Sequence, residues 1–225
     1  MAHLPLQARM SSPTLRRHLL FLPGSGADPA FWRPVGERLP AAWASSYIRW
    51  PGIGHNPPDP QVQNFEGLIS LAERRLLEQT ESGAVVDVLA QSMGGAIALY
   101  LALHHPASIR RLVLTVTSGG LPVEAFGASD WRPGYRVEYP SAAEWLYAAR
   151  PDYTSRLHEV TQPTLLIWGD SDPLSPPAVG EELKRRMPNA SLVVLPGGTH
   201  ALAFERPDEV AALIQGHLGG DSDVG

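Results

Sequence analysis

The chain has no cysteine. That absence excludes disulfides, thiolate metal ligands and a cysteine nucleophile together. Long apolar runs are missing too. No stretch approaches the ~18–20 residues that a membrane-spanning helix needs, so no membrane partner is expected. Basic runs are equally scarce. The nearest, Lys184-Arg185-Arg186, reads as the last turn of a helix, and the formal net charge is −5. Nucleic-acid binding therefore has no electrostatic support. The histidines never recur at H-x-x-x-H spacing, so metal-assisted hydrolysis lacks ligands and no metal is expected. The opening "MAHLPLQARMSSPTLRRH" has basic residues but lacks the continuous apolar core of about 7–15 residues that marks a signal peptide. A cytoplasmic protein is the expectation.

What is present fits one globular domain. The chain has 225 residues, of which 44% are apolar and 18% charged, enough to bury a full core between sheet and helices. Six short runs rich in Val, Leu and Ile read as strands: His18–Pro23, Ser45–Pro51, Ala84–Gln91, Arg111–Thr117, Pro163–Gly169 and Ser191–Gly197. Most are apolar on both faces, as buried parallel strands are. Helical patterns lie between them at Ala30–Leu39, Phe65–Thr80, Met93 to about His105, Pro177–Arg186 and Pro207–Leu218. This alternation predicts an α/β fold, an open and mostly parallel sheet of about six strands with helices on both faces.

The expected organisation is an N-terminal segment 1–17, a core in two parts at 18–117 and 163–218, an insertion at 118–162, and a flexible tail at 219–225. The insertion has no clear strand, and only Ala142–Ala149 looks helical. It is too long for a simple connection and too aromatic for disorder, so a small lid is expected. Trp131 and Trp145, with tyrosines 135, 139, 147 and 153, either line a substrate pocket or form the lid's own core.

The run "VVDVLAQSMGG" ends an apolar strand in a serine, Ser92, and opens a helix at once. Small residues stand two before it, Ala90, and two after it, Gly94, as a tight strand–turn–helix elbow requires. The following helix aims its positive dipole end at the serine, and the Met93 N–H is one candidate donor to an oxyanion. A serine in this place is also a favoured helix N-cap. Chemistry needs a base and an orienting carboxylate as well. In a parallel sheet these come from loops after the carboxyl ends of strands. Asp170 and Asp172 follow one strand and His200 follows the next, while no acid directly follows "RLVLTVT". The order serine, acid, histidine is the order known for hydrolases built on this elbow.

These segments resemble the α/β-hydrolase fold superfamily, in a serine-nucleophile, esterase-like form with a short lid. The likeness covers "HLLFLPGSGADPAFW", the elbow with its helix, and the stretch from "PTLLIWGDSDP" through "GGTHALAFERP". It implies that Asp172, the second aspartate of the G-D-x-D-P turn, is the acid, and that Asp170 shapes the turn. It implies that His200 is the base and that the Ser25 N–H is the second oxyanion donor. Pro23 replaces the family's histidine beside Gly24. The implied activity is acyl transfer from a carboxylic ester, thioester or lactone of modest size, with a small acyl substrate as partner and no cofactor. C–C bond hydrolases and perhydrolases share this triad. A slow-turnover ligand receptor on the same fold is the non-enzymatic alternative. Aspartate-nucleophile relatives are disfavoured by Ser92.

Other polar residues read more plainly. His55 is a loop histidine, and His104 and His105 complement a helix C-terminus. "LPGSGADP" lacks the third glycine of a dinucleotide fingerprint. Asp87 falls inside an apolar strand, where a carboxylate needs an edge or a partner.

Overall fold

A computed structural model describes residues 16–26 and 29–219. The expected N-terminal segment and C-terminal tail lie outside the described residues, apart from Arg16 and Arg17 at the start of the first strand and Gly219 at the end of the last helix. Among the described residues, six strands form one sheet in the order β2-β1-β3-β4-β5-β6, and every pairing is parallel. They are β1 (Arg16–Leu22), β2 (Ala44–Tyr47), β3 (Ala84–Gln91), β4 (Ile109–Thr115), β5 (Thr164–Gly169) and β6 (Ala190–Leu195).

The helices are α1 (Arg33–Gly36), α2 (Phe65–Glu81), α3 (Met93–His104), α4 (Arg132–Glu138), α5 (Pro177–Arg186), α6 (Leu202–Glu205) and α7 (Pro207–Gly219). The chain crosses the sheet one way from β1 to β2 and the other way from β2 onward. Right-handed crossovers then put α1 on one face and α2, α3 and α5 on the other. Helix α7 returns to pack on α1, and α2 packs on α3. The point where the direction reverses lies between β1 and β3. Open parallel sheets bind ligands beyond the carboxyl ends of such strands.

Sequence patterns set the layers. Residues 19–22 of β1 and 164–169 of β5 are all buried, so both faces of these strands meet helices. Helix α3 is apolar nearly all round and lies in the core, with Ala96, Ile97, Ala98, Leu99 and Leu101 buried. Helix α2 buries only the stripe Phe65, Leu68, Ile69, Ala72 and Leu76. The Asn64 side chain caps it by accepting the Gly67 N–H at 2.9 Å.

Several boundaries differ from the sequence pattern. The second strand pairs only over Ala44–Tyr47, because the chain then turns so that the Trp50 indole N–H donates to the Pro23 carbonyl at 2.8 Å. The fourth strand stops at Thr115, since Val116 takes φ +41°, a value that breaks the extended ladder and is strained for a β-branched residue. The expected helix over Ala30–Leu39 is a 3-10 turn, Pro29–Trp32, followed by the single α-turn of α1. Pro34 sits in that first turn, where a missing N–H is harmless. In the insertion, the helical pattern over 142–149 is a 3-10 helix, Glu144–Ala148. Helix α4 was hidden by its own sequence, "RPGYRVE", in which Pro133 and Gly134 mask the periodicity.

Asp87 does have partners. It is fully buried on β3, one of the interior strands. Arg110 donates to both its oxygens, from Nε at 3.0 Å and from an Nη at 2.8 Å. Arg17 lies 3.8 Å away on the neighbouring strand. Burial pushes the Asp87 carboxyl up, against the pull of these cations.

Candidate active site

Ser92 lies at the end of β3 with φ +52° and ψ −121°. Very few non-glycine residues adopt such backbone angles, and they persist only where the surroundings enforce them. Two close approaches do so here. A Cβ on Gly94 would run into the carbonyl oxygens of Leu22 and Pro23, so α3 can meet the end of β1 only through glycine. A Cβ on Gly24 would come within 2.9 Å of the Ser92 Cβ. The Thr117 hydroxyl donates to the Ser92 carbonyl at 2.6 Å and holds the turn from β4.

Although Ser92 occupies the N-cap position of α3, its side chain makes no capping bond. Its Oγ instead lies 3.0 Å from His200 Nε2. His200 stands in the loop after β6, and its Nδ1 lies 2.7 Å from Asp172 Oδ2. Since the carboxylate can only accept, Nδ1 carries the proton, and Nε2 is left free to accept from the serine. The Asp172 side chain is fully buried. Its second oxygen, Oδ1, accepts the N–H groups of Leu174 at 2.8 Å and Ser175 at 3.2 Å. The carboxylate is therefore held at both oxygens and cannot rotate away from the imidazole.

Asp170 does something else. It is exposed, and its Oδ1 accepts the Gly197 N–H at 2.6 Å and the Ser171 hydroxyl at 3.0 Å. It thus ties the loop after β5 to the loop that carries His200. Further supports come from residues that no motif marks. The Gln91 amide donates to the His200 carbonyl at 3.2 Å. Ser175 accepts from the Trp168 indole at 3.2 Å and donates to the Thr117 carbonyl at 3.1 Å. These residues are polar, buried and close to strand ends, which is the only signal the sequence offers for them.

Ser92 and His200 open into a cavity of about 970 Å³. Ser25 and Met93, the two expected oxyanion donors, both line it. Trp131 lines it as well, with Tyr135 and Tyr139, whereas Trp145 is not among its walls and packs half-buried on the core. The same aromatics contact one another: Trp131 and Tyr147 stack at 5.8 Å, and Tyr135 meets Tyr139 at 4.7 Å between centroids. The two readings of the insertion are thus compatible, because one aromatic cluster is both its core and a pocket wall. Burial pushes the Tyr135 phenol up to about 12. Apart from His200 and the phenols of Tyr135 and Tyr139, the ionisable side chains lining the cavity are the carboxyls Asp130 and Glu138, with no lysine or arginine among the described lining residues. His55 is exposed and rests its ring against Tyr139 at 4.8 Å. No group of three or more His, Asp or Glu among the described residues could hold a metal ion. No helix among them is long and apolar enough to cross a membrane.

Comparison with known proteins agrees with this architecture. Residues 19–213 match the alpha/beta hydrolase family. The chain is 30% identical to the pimeloyl-[acyl-carrier protein] methyl ester esterase of Neisseria meningitidis, over 96% of this chain and 81% of that protein. It is 27% identical to the poly(3-hydroxyalkanoate) depolymerase of Ectopseudomonas oleovorans, over 89% of this chain and 83% of that protein. MenH from S. aureus shares the fold, with a TM-score of 0.74 at 20% identity over 93% of this chain and 96% of that one. A match across nearly the whole sheet, and a relative of this identity along almost the full length, place the chain in one group: it belongs to the alpha/beta hydrolase family.

Proposed function

We propose that the protein is a serine hydrolase that cleaves a carboxylic ester of a small-to-medium acyl chain through an acyl-enzyme intermediate. The observation that carries this reading is the continuous hydrogen-bonded line from Ser92 Oγ through His200 to Asp172, opening into a substrate-sized cavity. His200 Nε2 takes the Ser92 proton as Oγ attacks the ester carbonyl. Asp172 holds the proton on Nδ1 and stabilises the imidazolium that forms. The N–H groups of Met93 and Ser25 receive the developing oxyanion, where one donor contributes ~3–4 kcal/mol. His200 then protonates the leaving alcohol. A water molecule, activated in turn by His200, releases the acid and restores Ser92.

The names of the two relatives favour an oxygen ester over a thioester, since one is a methyl ester esterase and the other depolymerises a polyester. Fluorophosphonate labelling read by intact mass tests the reading. One adduct is expected on wild type and none on Ser92→Ala. Equal labelling of both proteins, or no labelling of folded wild type, sinks it. Multiple turnover of p-nitrophenyl butyrate is expected alongside, whereas a ligand receptor on this fold would release at most one equivalent.

A further inference from the structure

The insertion meets the loops around the site through two backbone bonds, from the Ser129 N–H to the Pro173 carbonyl at 2.7 Å and from the Ala143 N–H to the Gly52 carbonyl at 2.8 Å, and through one side-chain hydroxyl. Tyr135 is on α4 and is 8% exposed. Its O–H donates to the Ser25 carbonyl at 2.7 Å and accepts the Gly54 N–H at 2.9 Å. One oxygen therefore joins the insertion to the loop after β1 and to the loop after β2. The loop after β1 is pinned at a second point, where the Trp50 indole donates to the Pro23 carbonyl at 2.8 Å. Gly24, between these two pins, lies against Ser92. The Ser25 carbonyl and the Ser25 N–H are separated by the two backbone bonds of a single residue. Fixing the carbonyl while Gly24 is held against the elbow leaves the N–H little freedom. Gly26, just beyond, is exposed. With its phenol raised by burial to about 12, the Tyr135 group remains a donor throughout the neutral range.

We propose that Tyr135 is a positioning residue for the oxyanion site: through its hydroxyl, the insertion holds the Ser25 peptide where the tetrahedral intermediate needs a donor. The proposal rests on the serine-hydrolase reading above. It assigns the insertion a part in the chemical step as well as in forming the pocket wall. A preorganised donor accelerates reaction only if it is already in place when charge develops. A displacement of about 1 Å is costly at such a site.

Tyr135→Phe removes the oxygen and keeps the ring in its aromatic cluster. All rates are to be normalised to the sites titrated by fluorophosphonate, so that any unfolded fraction is not counted. The expected result is a fall of about tenfold in kcat for p-nitrophenyl butyrate, with KM changed less than twofold, as for an interaction made only in the transition state. Two ketone inhibitors of the same shape separate positioning from pocket structure. A phenylalkyl trifluoromethyl ketone adds Ser92 and places an oxyanion, whereas the matching methyl ketone only occupies the cavity. The variant is expected to lose about tenfold on the first and less than twofold on the second. Equal losses on both ketones would make Tyr135 a wall residue only, and no loss on either would overturn the proposal outright. If wild type itself showed neither a fluorophosphonate adduct nor any preference for the trifluoromethyl ketone, the serine-hydrolase reading would fail first, and visibly so.

Discussion

Asp172→Asn is expected to lower kcat for a short ester by roughly 10⁴-fold while the protein stays folded, because the change reverses the histidine tautomer. The geometry says which way the new amide will face. Oδ1 of Asp172 accepts two backbone N–H groups, from Leu174 and Ser175. An asparagine must keep its carbonyl oxygen at that position, since an NH₂ there would face two donors. Its NH₂ then points at His200 Nδ1 and converts that nitrogen into an acceptor. The ring proton moves to Nε2, which can no longer accept from Ser92. The companion variant is Asp170→Asn. There the amide carbonyl can still accept the Gly197 N–H, so a loss of less than tenfold is expected. Steady-state rates of the two variants decide the matter. An Asp172→Asn enzyme within tenfold of wild type, or an Asp170→Asn enzyme crippled to the same degree, would mean that the orienting acid has been misassigned.

The second large effect concerns stability. Asp87→Ala is expected to cost about 3 kcal/mol, because deleting one member of a buried ion pair leaves its partner short of compensation. Arg110 is only 21% exposed at its side chain, and two of its donors would lose their acceptor. It would keep its bond to the Leu218 carbonyl at 3.1 Å. That remaining bond and its partial exposure place the cost at the lower end of the range. For a chain of this size the melting temperature should fall by roughly 6–12 °C. The rate per titrated serine should not change, since Asp87 touches nothing in the cavity. Asp87→Asn keeps an acceptor for Arg110 and should lose less. A melting temperature within 2 °C of wild type for the alanine variant would show that the pair contributes nothing net, as happens when desolvation cancels attraction.

Much of this molecule is legible in its chain. The third strand runs over the residues that its apolar run marks, Ala84–Gln91, and the serine follows at the next position. A strand end, a glycine pair and a helix start are local events, decided by neighbours in sequence. The candidate acid and base are traceable for the same reason, as each is a polar residue in the loop that follows a strand of a parallel sheet. The aspartate pair is harder. Asp170 and Asp172 stand two apart in the same turn; position after a strand does not separate them, the family resemblance points to Asp172, and the folded chain puts an Asp172 oxygen on His200 and an Asp170 oxygen on Gly197. The insertion was least legible, because its helix α4 contains proline and glycine and its 3-10 turn keeps no 3.6-residue period.

By itself, then, the amino-acid sequence determined the class of fold, the order of the strands and of the longer helices along the chain, and the loops from which reactive side chains leave the sheet. Those properties follow from short-range patterns of apolar residues, glycine and proline. Tertiary structure alone decided the partners. Ser25 meets Tyr135 across 110 residues, Gln91 meets His200 across 109, and Asp87 finds Arg110 through the pairing of two strands. No local pattern encodes such contacts. A hydrogen bond depends on where two backbones come to rest, and that is settled only when the whole core has packed.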